Sequence, residues 1–172
     1  MRSPVRDNIV LVGMPGAGKS TIGILLAKAL AKDFVDTDVL IQQREGCTLR
    51  DYQLAHGQDA FLRLEASVLE NLAVSNTVIA TGGSAVYVDS AMAALRQRGV
   101  VVFIDVPLAV LKTRLGDMGN RGVVQKPGQD LNALYQERWP LYEAAADIRV
   151  EAADHSQEAV LALVRDALSP LQ

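Results

Sequence analysis

The stretch Gly13–Thr21, GMPGAGKST, carries the most specific structural signal in this chain. It follows the short apolar run Asn8–Val12 (NIVLV) and precedes a segment whose apolar residues recur at helical spacing. Its glycines and its Lys-Ser pair match the pattern G-x-x-x-x-G-K-[ST] without a gap. A strand, a glycine loop and a helix in this order predict a loop whose backbone N–H groups surround a phosphate at a helix N-terminus.

Each residue of this loop is predicted to contact a nucleoside triphosphate or its metal ion. Lys19 would bridge the β- and γ-phosphates, and the Ser20 hydroxyl would bind Mg²⁺. A glycine-rich turn that fits the pattern by chance is disfavoured, because the strand and the helix lie on the expected sides. The predicted nucleotide-binding residues of the loop are Gly13, Pro15, Gly16, Ala17, Gly18, Lys19, Ser20 and Thr21.

Along the rest of the chain, short apolar runs alternate with segments of helical periodicity. The predicted strands are 8–12, 33–38, 77–83, 100–107 and 147–152. The predicted helices follow the glycine loop and cover 48–57, 58–75, 90–99, 108–115, 131–146 and 156–168, with Pro140 breaking or bending one of them. This alternation predicts a three-layer α/β fold, in which a five-stranded parallel sheet carries helices on both faces.

Length and composition narrow the class of protein. A chain of 172 residues suggests one domain, and a net charge of −3 argues against a general nucleic-acid or membrane-surface binder. Cys47 is the only cysteine, so no internal disulfide forms and a reducing cytoplasm fits. The N-terminus does not resemble a signal peptide, and no apolar run reaches the roughly 18 residues of a membrane span. We expect a cytoplasmic monomer.

Polar and glycine residues follow two of the predicted strands. Asp36 and Asp38 lie two apart, so in an extended chain they would share a face and converge over the triphosphate. A solvated turn that closes the strand is the alternative. Gly82 and Gly83 follow another strand, where the missing Cβ allows a ligand to approach the backbone. For these glycines a plain strand-end turn is the alternative.

These features favour a small-molecule kinase. The chain lacks the Asn-Lys-x-Asp stretch of GTPases and is too short for a large ATPase. The segment Gly116–Asp130 has four glycines, one proline and little periodicity, and predicts a mobile loop. Two other hypotheses stay open: a nucleotide-binding regulatory module without catalysis, and another P-loop enzyme such as a nucleotide or gluconate kinase.

Five motifs in order resemble the shikimate kinase family over nearly the whole length: GMPGAGKSTIG, FVDTDVLI, VIATGGSAV, NRGVV and ERWPLY. The first motif is generic, and the set of five is fairly specific. The resemblance implies that ATP with Mg²⁺ phosphorylates a hydroxyl of a small carboxylic acid. Shikimate, converted to shikimate 3-phosphate in aromatic amino acid biosynthesis, is the default acceptor. The segment 116–130 is similar to the lid of that family, which closes over bound ATP.

The resemblance also implies roles for single residues. Asp36 would support Mg²⁺ through water, and Asp38 would bind the acceptor hydroxyl and take its proton. Arg121, in the lid, would reach the transferring phosphoryl group, and Arg114 would stack on adenine. Arg138 would bind the carboxylate of the acceptor, because its planar fork suits bidentate pairing.

Alternatives stay open for the three arginines. Arg114 could be a solvated helix end, Arg121 a solvated loop charge, and Arg138 one half of a surface ion pair with Glu137 or Glu143. The neighbouring Trp139 and Tyr142 are expected to pack rather than to contact the acceptor.

The chain departs from the family at the acceptor side. The family has Phe, Arg, two variable residues and Glu, whereas this chain has FLRLE, with Leu62 in the arginine position. Arg63 lies one residue later, rotated by about 100° on a helix, and Glu65 would lose its partner. Ser84 replaces a third glycine, and either narrows the pocket or adds a hydroxyl contact. The predicted acceptor-binding residues are Asp38, Leu62, Arg63, Glu65, Gly82, Gly83, Ser84 and Arg138.

These departures support an alternative acceptor. A pocket with one arginine fewer is more negative and would suit a molecule with both an ammonium and a carboxylate. A small hydroxy amino acid such as homoserine fits this description. Its carboxylate would bind Arg138, and its ammonium would lie toward Glu65 or Asp38.

Overall fold

Five parallel strands form the centre of the molecule in the order β2-β3-β1-β4-β5. The structure is a computed structural model in which residues 6–116, 122–153 and 155–171 are described. The sheet confirms the predicted α/β fold. Its strands are β1 Asn8–Val12, β2 Asp33–Asp36, β3 Thr77–Ala80, β4 Gly99–Asp105 and β5 Ile148–Glu151.

Helices connect these strands, as right-handed crossovers between parallel strands require. Two helices differ from the sequence prediction: residues Thr37–Glu45 form a helix that was not predicted, and the helix after Gly57 is shorter than predicted. The fourth ends at Glu70 rather than at Ser75, since Asn71 caps it and donates through its side chain to the Ser67 carbonyl. Pro140 does not end the seventh helix. The helices are α1 Lys19–Leu30, α2 Thr37–Glu45, α3 Leu49–His56, α4 Gln58–Glu70, α5 Asp89–Arg98, α6 Leu108–Arg114, α7 Leu131–Ala145 and α8 Gln157–Leu168.

Local signals set several of these boundaries. The Thr48 side chain accepts the Asp51 backbone N–H at 3.1 Å and starts α3, and Gly57 ends it, as predicted. Ser156 caps α8 in the same way, through the Ala159 N–H at 3.2 Å. No helix within the described ranges has both the length and the apolar composition needed to cross a bilayer.

The core lies on both faces of the sheet. Every residue of β1 and of β3 is buried, which explains why their sequences are continuous apolar runs rather than alternating ones. Because β1, β3 and β2 are neighbours and parallel, their carboxyl ends meet at one edge of the sheet. The glycine loop, the Gly82–Gly83 pair and Asp36 follow these three ends, so the fold brings the predicted site together.

Candidate active site

The glycine loop needs its glycines for backbone reasons. Gly13, Gly16 and Gly18 have φ values of 150°, 79° and 89°, which side-chain-bearing residues rarely adopt. A Cβ on Gly13 would also lie 2.7 Å from the Ile104 carbonyl oxygen. Gly18 occupies the N-cap position of α1, so the first N–H groups of that helix carry no side-chain cap. This arrangement leaves backbone donors and the positive helix end for an anion.

Lys19 folds back over this loop. Its Nζ donates to the carbonyl oxygens of Gly13 at 2.7 Å and of Met14 at 2.8 Å, and its side chain is buried. Burial lowers the pKa of Lys19 to about 8, although the charge of Asp38 acts in the opposite direction. The ammonium group of Lys19 therefore lies at the loop. A negatively charged polyphosphate bound there would favour its protonated form.

Asp36 and Ser20 form an oxygen-rich pair beside the loop. The Ser20 hydroxyl donates to Asp36 Oδ2 at 2.5 Å. The other oxygen of Asp36 accepts the backbone N–H groups of Asp38 and Val39 at 2.9 and 3.3 Å, and so caps α2. A hydroxyl and a carboxylate suit Mg²⁺, which prefers oxygen ligands and retains several waters. Among the described residues no group of three or more His, Cys, Asp or Glu side chains is placed to hold a metal ion, so phosphate and water oxygens would complete the coordination of a bound Mg²⁺.

Asp38 is not extended, contrary to the sequence prediction. Strand β2 stops at Asp36, whose side chain caps a helix, and Asp38 therefore lies in the first turn of α2. It still faces the site, since its Oδ1 lies 2.7 Å from the position that a Cβ on Gly82 would take. Burial, and then the charge of Asp36, raise the pKa of Asp38 to about 6.

Glu65 has a hydroxyl partner in place of the arginine that the family has. The Ser84 hydroxyl donates to Glu65 Oε2 at 2.6 Å, and both residues are buried. The other oxygen, Oε1, is buried without a hydrogen-bond partner within the described part of the chain. Burial raises the pKa of Glu65 to about 7, although the Ser84 hydrogen bond and the charge of Arg138 lower it. The ionised form of the Glu65 carboxyl group is therefore disfavoured, because burial outweighs the hydrogen bond from Ser84.

Arg138 is a buried cation rather than one half of a surface ion pair. Its side chain is 1% exposed, its Nε donates to the Tyr87 hydroxyl at 3.0 Å, and its Nη2 donates to the Val124 carbonyl. The guanidinium carbon lies 5.0 Å from the centre of the Tyr87 ring. The remaining nitrogen, Nη1, lies 2.9 Å from the position of a Cβ on Gly83. The carboxylates suggested as surface partners contact other residues, Glu137 with Lys126 and Glu143 with Arg149.

Lys19, Asp38 and Arg138 line one cavity of about 460 Å³, whereas Asp36 and Glu65 are not among its lining residues. A single space thus extends from the phosphate loop to Arg138. Thr81, Leu49 and Phe61 also line it, although no sequence motif indicated them. The predicted site residues that line it are Pro15, Gly16, Gly18, Lys19, Ser20, Thr21, Asp38, Gly83, Ser84 and Arg138.

Four predicted acceptor-binding residues do not line this cavity, namely Leu62, Arg63, Glu65 and Gly82. Leu62 is half-buried and packs against the small apolar cluster of Ile41, Phe61, Val68 and Val124. Arg63 is exposed on α4. The rotation of one helical step therefore separates Arg63 from the site, as its position in the sequence predicted.

A second cavity of about 380 Å³ adjoins the other side of the phosphate loop. Arg114 lines it and donates to the Gly16 carbonyl at 3.3 Å. Ala17, His155 and Gln157 also line it. Arg121 lies outside the described residues.

Sequence reasoning missed the tyrosines around Arg138. Tyr87 holds its Nε, and the Tyr142 hydroxyl donates to the Gly83 carbonyl at 2.6 Å, so the two rings fix the arginine and the glycine turn. Burial raises the pKa of Tyr142, which keeps it a neutral donor. Tyr142 was expected only to pack, and no local pattern marked Tyr87. Trp139 packs on Phe103 and donates to Asp105, away from the cavity.

The sheet, the phosphate loop and the shared cavity define the class: the chain is a P-loop kinase that acts on a small molecule. The family model described as Shikimate kinase matches residues 15–169. The chain belongs to the shikimate kinase family, whose members use ATP and Mg²⁺.

Individual relatives and solved structures support the assignment to the shikimate kinase family. The shikimate kinase of Synechococcus sp. (strain RCC307) is 43% identical over 149 residues, which cover 84% of this chain and 75% of the relative. The shikimate kinase of Symbiobacterium thermophilum is 39% identical over 166 residues, which cover 94% of this chain and 95% of the relative. Among solved structures, shikimate kinase from Acinetobacter baumannii in complex with shikimate has a TM-score of 0.86 at 32% identity, covering 96% of this chain and 95% of that one. A gluconokinase from Sinorhizobium meliloti shares the fold alone, with a TM-score of 0.58 at 20% identity.

Proposed function

We propose that this chain transfers the γ-phosphoryl group of ATP to a hydroxyl of a small hydroxylated carboxylic acid, with shikimate as the default acceptor and shikimate 3-phosphate as the product. One observation carries the proposal: Lys19, Asp38 and Arg138 line the same cavity. A buried guanidinium at one end suits a carboxylate, and a phosphate loop at the other end suits a triphosphate. Asp38 would meet the acceptor hydroxyl beside the γ-phosphate, because it lines this cavity together with Lys19.

The proposed reaction assigns a task to each of these groups. The hydroxyl oxygen of the acceptor attacks the γ-phosphorus, the bond to the bridging oxygen of ADP breaks, and the hydroxyl proton passes to Asp38. A carboxyl with a pKa of about 6 is mostly ionised at pH 7 and can accept that proton. Lys19 and the loop amides balance the charge on the phosphates. Mg²⁺ near Ser20 and Asp36 would neutralise charge on the β- and γ-phosphate oxygens.

We further propose that the segment 116–130 is a lid on a single kinase domain. Its described end contacts the site, since Gln53 donates to the Gly122 carbonyl at 2.6 Å and Arg138 donates to that of Val124. Arg121 directly precedes Gly122 and would act on the transferring phosphoryl group. Hydrogen exchange should show this segment protected by an ATP analogue with acceptor; equal protection with and without these ligands would remove the lid from the proposal.

The nucleotide base would occupy the second cavity. Arg114 supports this assignment, because it lines that cavity beside the phosphate loop and a guanidinium can stack on an adenine ring. For the whole protein we propose a cytoplasmic monomer, and sedimentation would test the oligomeric state.

A small hydroxy amino acid, such as homoserine, is the second candidate acceptor. The observation in its favour is that two carboxyl groups, those of Glu65 and Asp38, both lie against Gly82, and that Glu65 Oε1 has no hydrogen-bond partner among the described residues. An ammonium group near both carboxyl groups would satisfy two carboxylates that burial disfavours as anions.

A coupled assay of ADP release with shikimate and homoserine side by side tests the proposal. We expect turnover of one of them well above the rate of ATP hydrolysis without acceptor. Strong turnover of shikimate and none of homoserine would eliminate the amino acid. The variant Asp38→Asn should lose turnover with either acceptor while keeping nucleotide affinity. No turnover with either compound would refute the proposed acceptor class.

A further inference from the structure

Arg138 is a buried cation that no carboxylate of the described residues neutralises. The ion pairs of the described carboxylates all involve other cations. The groups that contact the Arg138 guanidinium are neutral, namely the hydroxyls of Tyr87 and Tyr142 and the carbonyl of Val124. A buried charge without a counter-ion is costly. Because Arg138 lines the large cavity, an anion bound in that cavity would meet a cation that lacks a counter-ion.

Arg149 of β5 provides a comparison within the same chain. Its guanidinium also lies over an aromatic ring, with the guanidinium carbon 4.9 Å from the centre of the Trp139 ring. Unlike Arg138, it forms ion pairs with three carboxylates, those of Asp105 at 2.9 Å, Glu151 at 3.1 Å and Glu143 at 3.5 Å. The charge of Arg149 is therefore used within the fold, whereas the charge of Arg138 is left for a molecule in the cavity.

Tyr87 holds the guanidinium of Arg138 in two ways. Its hydroxyl accepts the Arg138 Nε–H at 3.0 Å, and the centre of its ring lies 5.0 Å from the guanidinium carbon. The Val124 carbonyl accepts from Nη2, which lies on the same edge of the planar group as Nε. These contacts fix both the plane and the rotation of the guanidinium. Tyr87 is half-buried in the short 3₁₀ turn Ala85–Tyr87 and does not line the cavity, so it acts on a bound molecule through Arg138.

We propose that Tyr87 positions Arg138 and thereby sets the preference of the site for an acceptor that carries a carboxylate. This inference rests on the proposed function, in which Arg138 binds that carboxylate. A long side chain that is free in the empty site must be ordered when a ligand binds, which costs up to about tenfold in affinity. Tyr87 removes this cost, because it orders the guanidinium before the acceptor binds. Tyr87 is thus a positioning residue that does not itself touch the acceptor.

The acid and the amide of the same acceptor provide the test. Shikimate is compared with its carboxamide, and homoserine with homoserine amide, because each amide keeps the shape of the acid and loses the negative charge. Each compound is titrated calorimetrically, with a non-hydrolysable ATP analogue present, into wild type and into Tyr87→Phe. KM and kcat are measured for the compounds that turn over. We expect Tyr87→Phe to weaken binding of the acid and raise its KM by about tenfold, with a much smaller change in kcat, and to leave the amide nearly unchanged.

Two further variants separate recognition from folding. Tyr87→Leu removes the aromatic ring as well as the hydroxyl, and should weaken binding of the acid at least as much as Tyr87→Phe does. The matched control is Tyr135→Phe, which removes a tyrosine hydroxyl from α7, the helix that carries Arg138, at a position outside the cavity. It should leave the preference for the acid unchanged. Circular dichroism checks the fold of all three variants.

The Nε–H group of Arg138 gives a readout that needs no turnover. Its signal in nitrogen-edited NMR is identified by its loss in Arg138→Lys. In wild type without ligand this proton should exchange slowly with solvent, because it is buried and donates to the Tyr87 hydroxyl. Tyr87→Phe should make the exchange faster, whereas Tyr135→Phe should not.

Equal losses for acid and amide in Tyr87→Phe would give Tyr87 a merely structural role and overturn the inference. Unchanged or tighter binding of the acid, or an Nε–H signal that is still protected in this variant, would also overturn it. A wild type that binds the acid no better than the amide would refute the carboxylate preference, even if both compounds turn over and the kinase activity stands. Absence of turnover with every acceptor would refute the proposed function, while calorimetry and the Nε–H signal would still decide the inference.

Discussion

Replacing Glu65 with glutamine should change how the stability of the protein depends on pH. Burial raises the pKa of Glu65 from 4.5 to about 7 in the folded chain. Between these two values the native state holds a proton that the unfolded state has released, so wild-type stability falls as pH rises through this window. Above pH 7 Glu65 is ionised in both the folded and the unfolded state, and the loss of stability is complete. Glutamine is neutral throughout and carries no such dependence.

The size of the effect follows from the shift in pKa. One pKa unit corresponds to about 1.4 kcal/mol, so the wild-type free energy of unfolding should fall by about 3 kcal/mol relative to that of Glu65→Gln between pH 4.5 and pH 8. The Ser84 hydrogen bond does not cancel the effect, because glutamine also offers an acceptor oxygen to that hydroxyl.

Urea unfolding at pH 5, 6, 7 and 8 measures this difference directly. The matched control is Glu158→Gln, which removes a carboxylate from the exposed surface of α8. We expect the stability of Glu65→Gln relative to wild type to increase steadily with pH. A relative stability that stays constant within about 0.5 kcal/mol, or that decreases as pH rises, would show that Glu65 is not an anion destabilised by burial.

Three further predictions concern activity. Lys19→Met should abolish turnover and leave the circular dichroism spectrum unchanged; near-normal kcat would contradict the phosphate role of Lys19. Arg121→Ala should lower kcat by about 10³-fold or more, far more than it lowers nucleotide affinity measured by calorimetry; a variant that loses mainly affinity would place Arg121 on bound nucleotide instead. Leu62→Arg should reduce activity on a hydroxy amino acid, because a new cation repels its ammonium, and should raise any activity on shikimate; the opposite pattern in the ADP-release assay would exclude the amino acid.

The phosphate loop and the sheet could be predicted from the sequence because their signals are local. The residues Gly13–Thr21 are consecutive, and their positive φ angles at three glycines follow from the glycines themselves. The buried strands β1 and β3 are continuous apolar runs, and the start of α3 is marked by the cap at Thr48. Each of these features depends on neighbours a few residues away.

The conformation of Asp38 could not be predicted from its sequence neighbours. Its spacing from Asp36 suggested an extended pair, yet Asp36 can also cap a helix, and the structure uses it in that way. Both conformations are locally acceptable. The choice depends on packing, since the helix that follows buries Thr37 and Ile41.

The environment of the acceptor site depends on contacts between residues that are far apart in the sequence. Ser84 and Glu65 are 19 residues apart, and Arg138 is 51 residues from Tyr87, so no sequence period relates them. The order of the strands brings β3 beside β1 and places α4 and α7 around the turn that follows β3. This packing removes water from Glu65 and Arg138, and desolvation depends on every element around a group rather than on its sequence neighbours. The sequence motif therefore predicts a phosphate site, while the packing of the fold determines which carboxyl oxygen has no donor among the described residues.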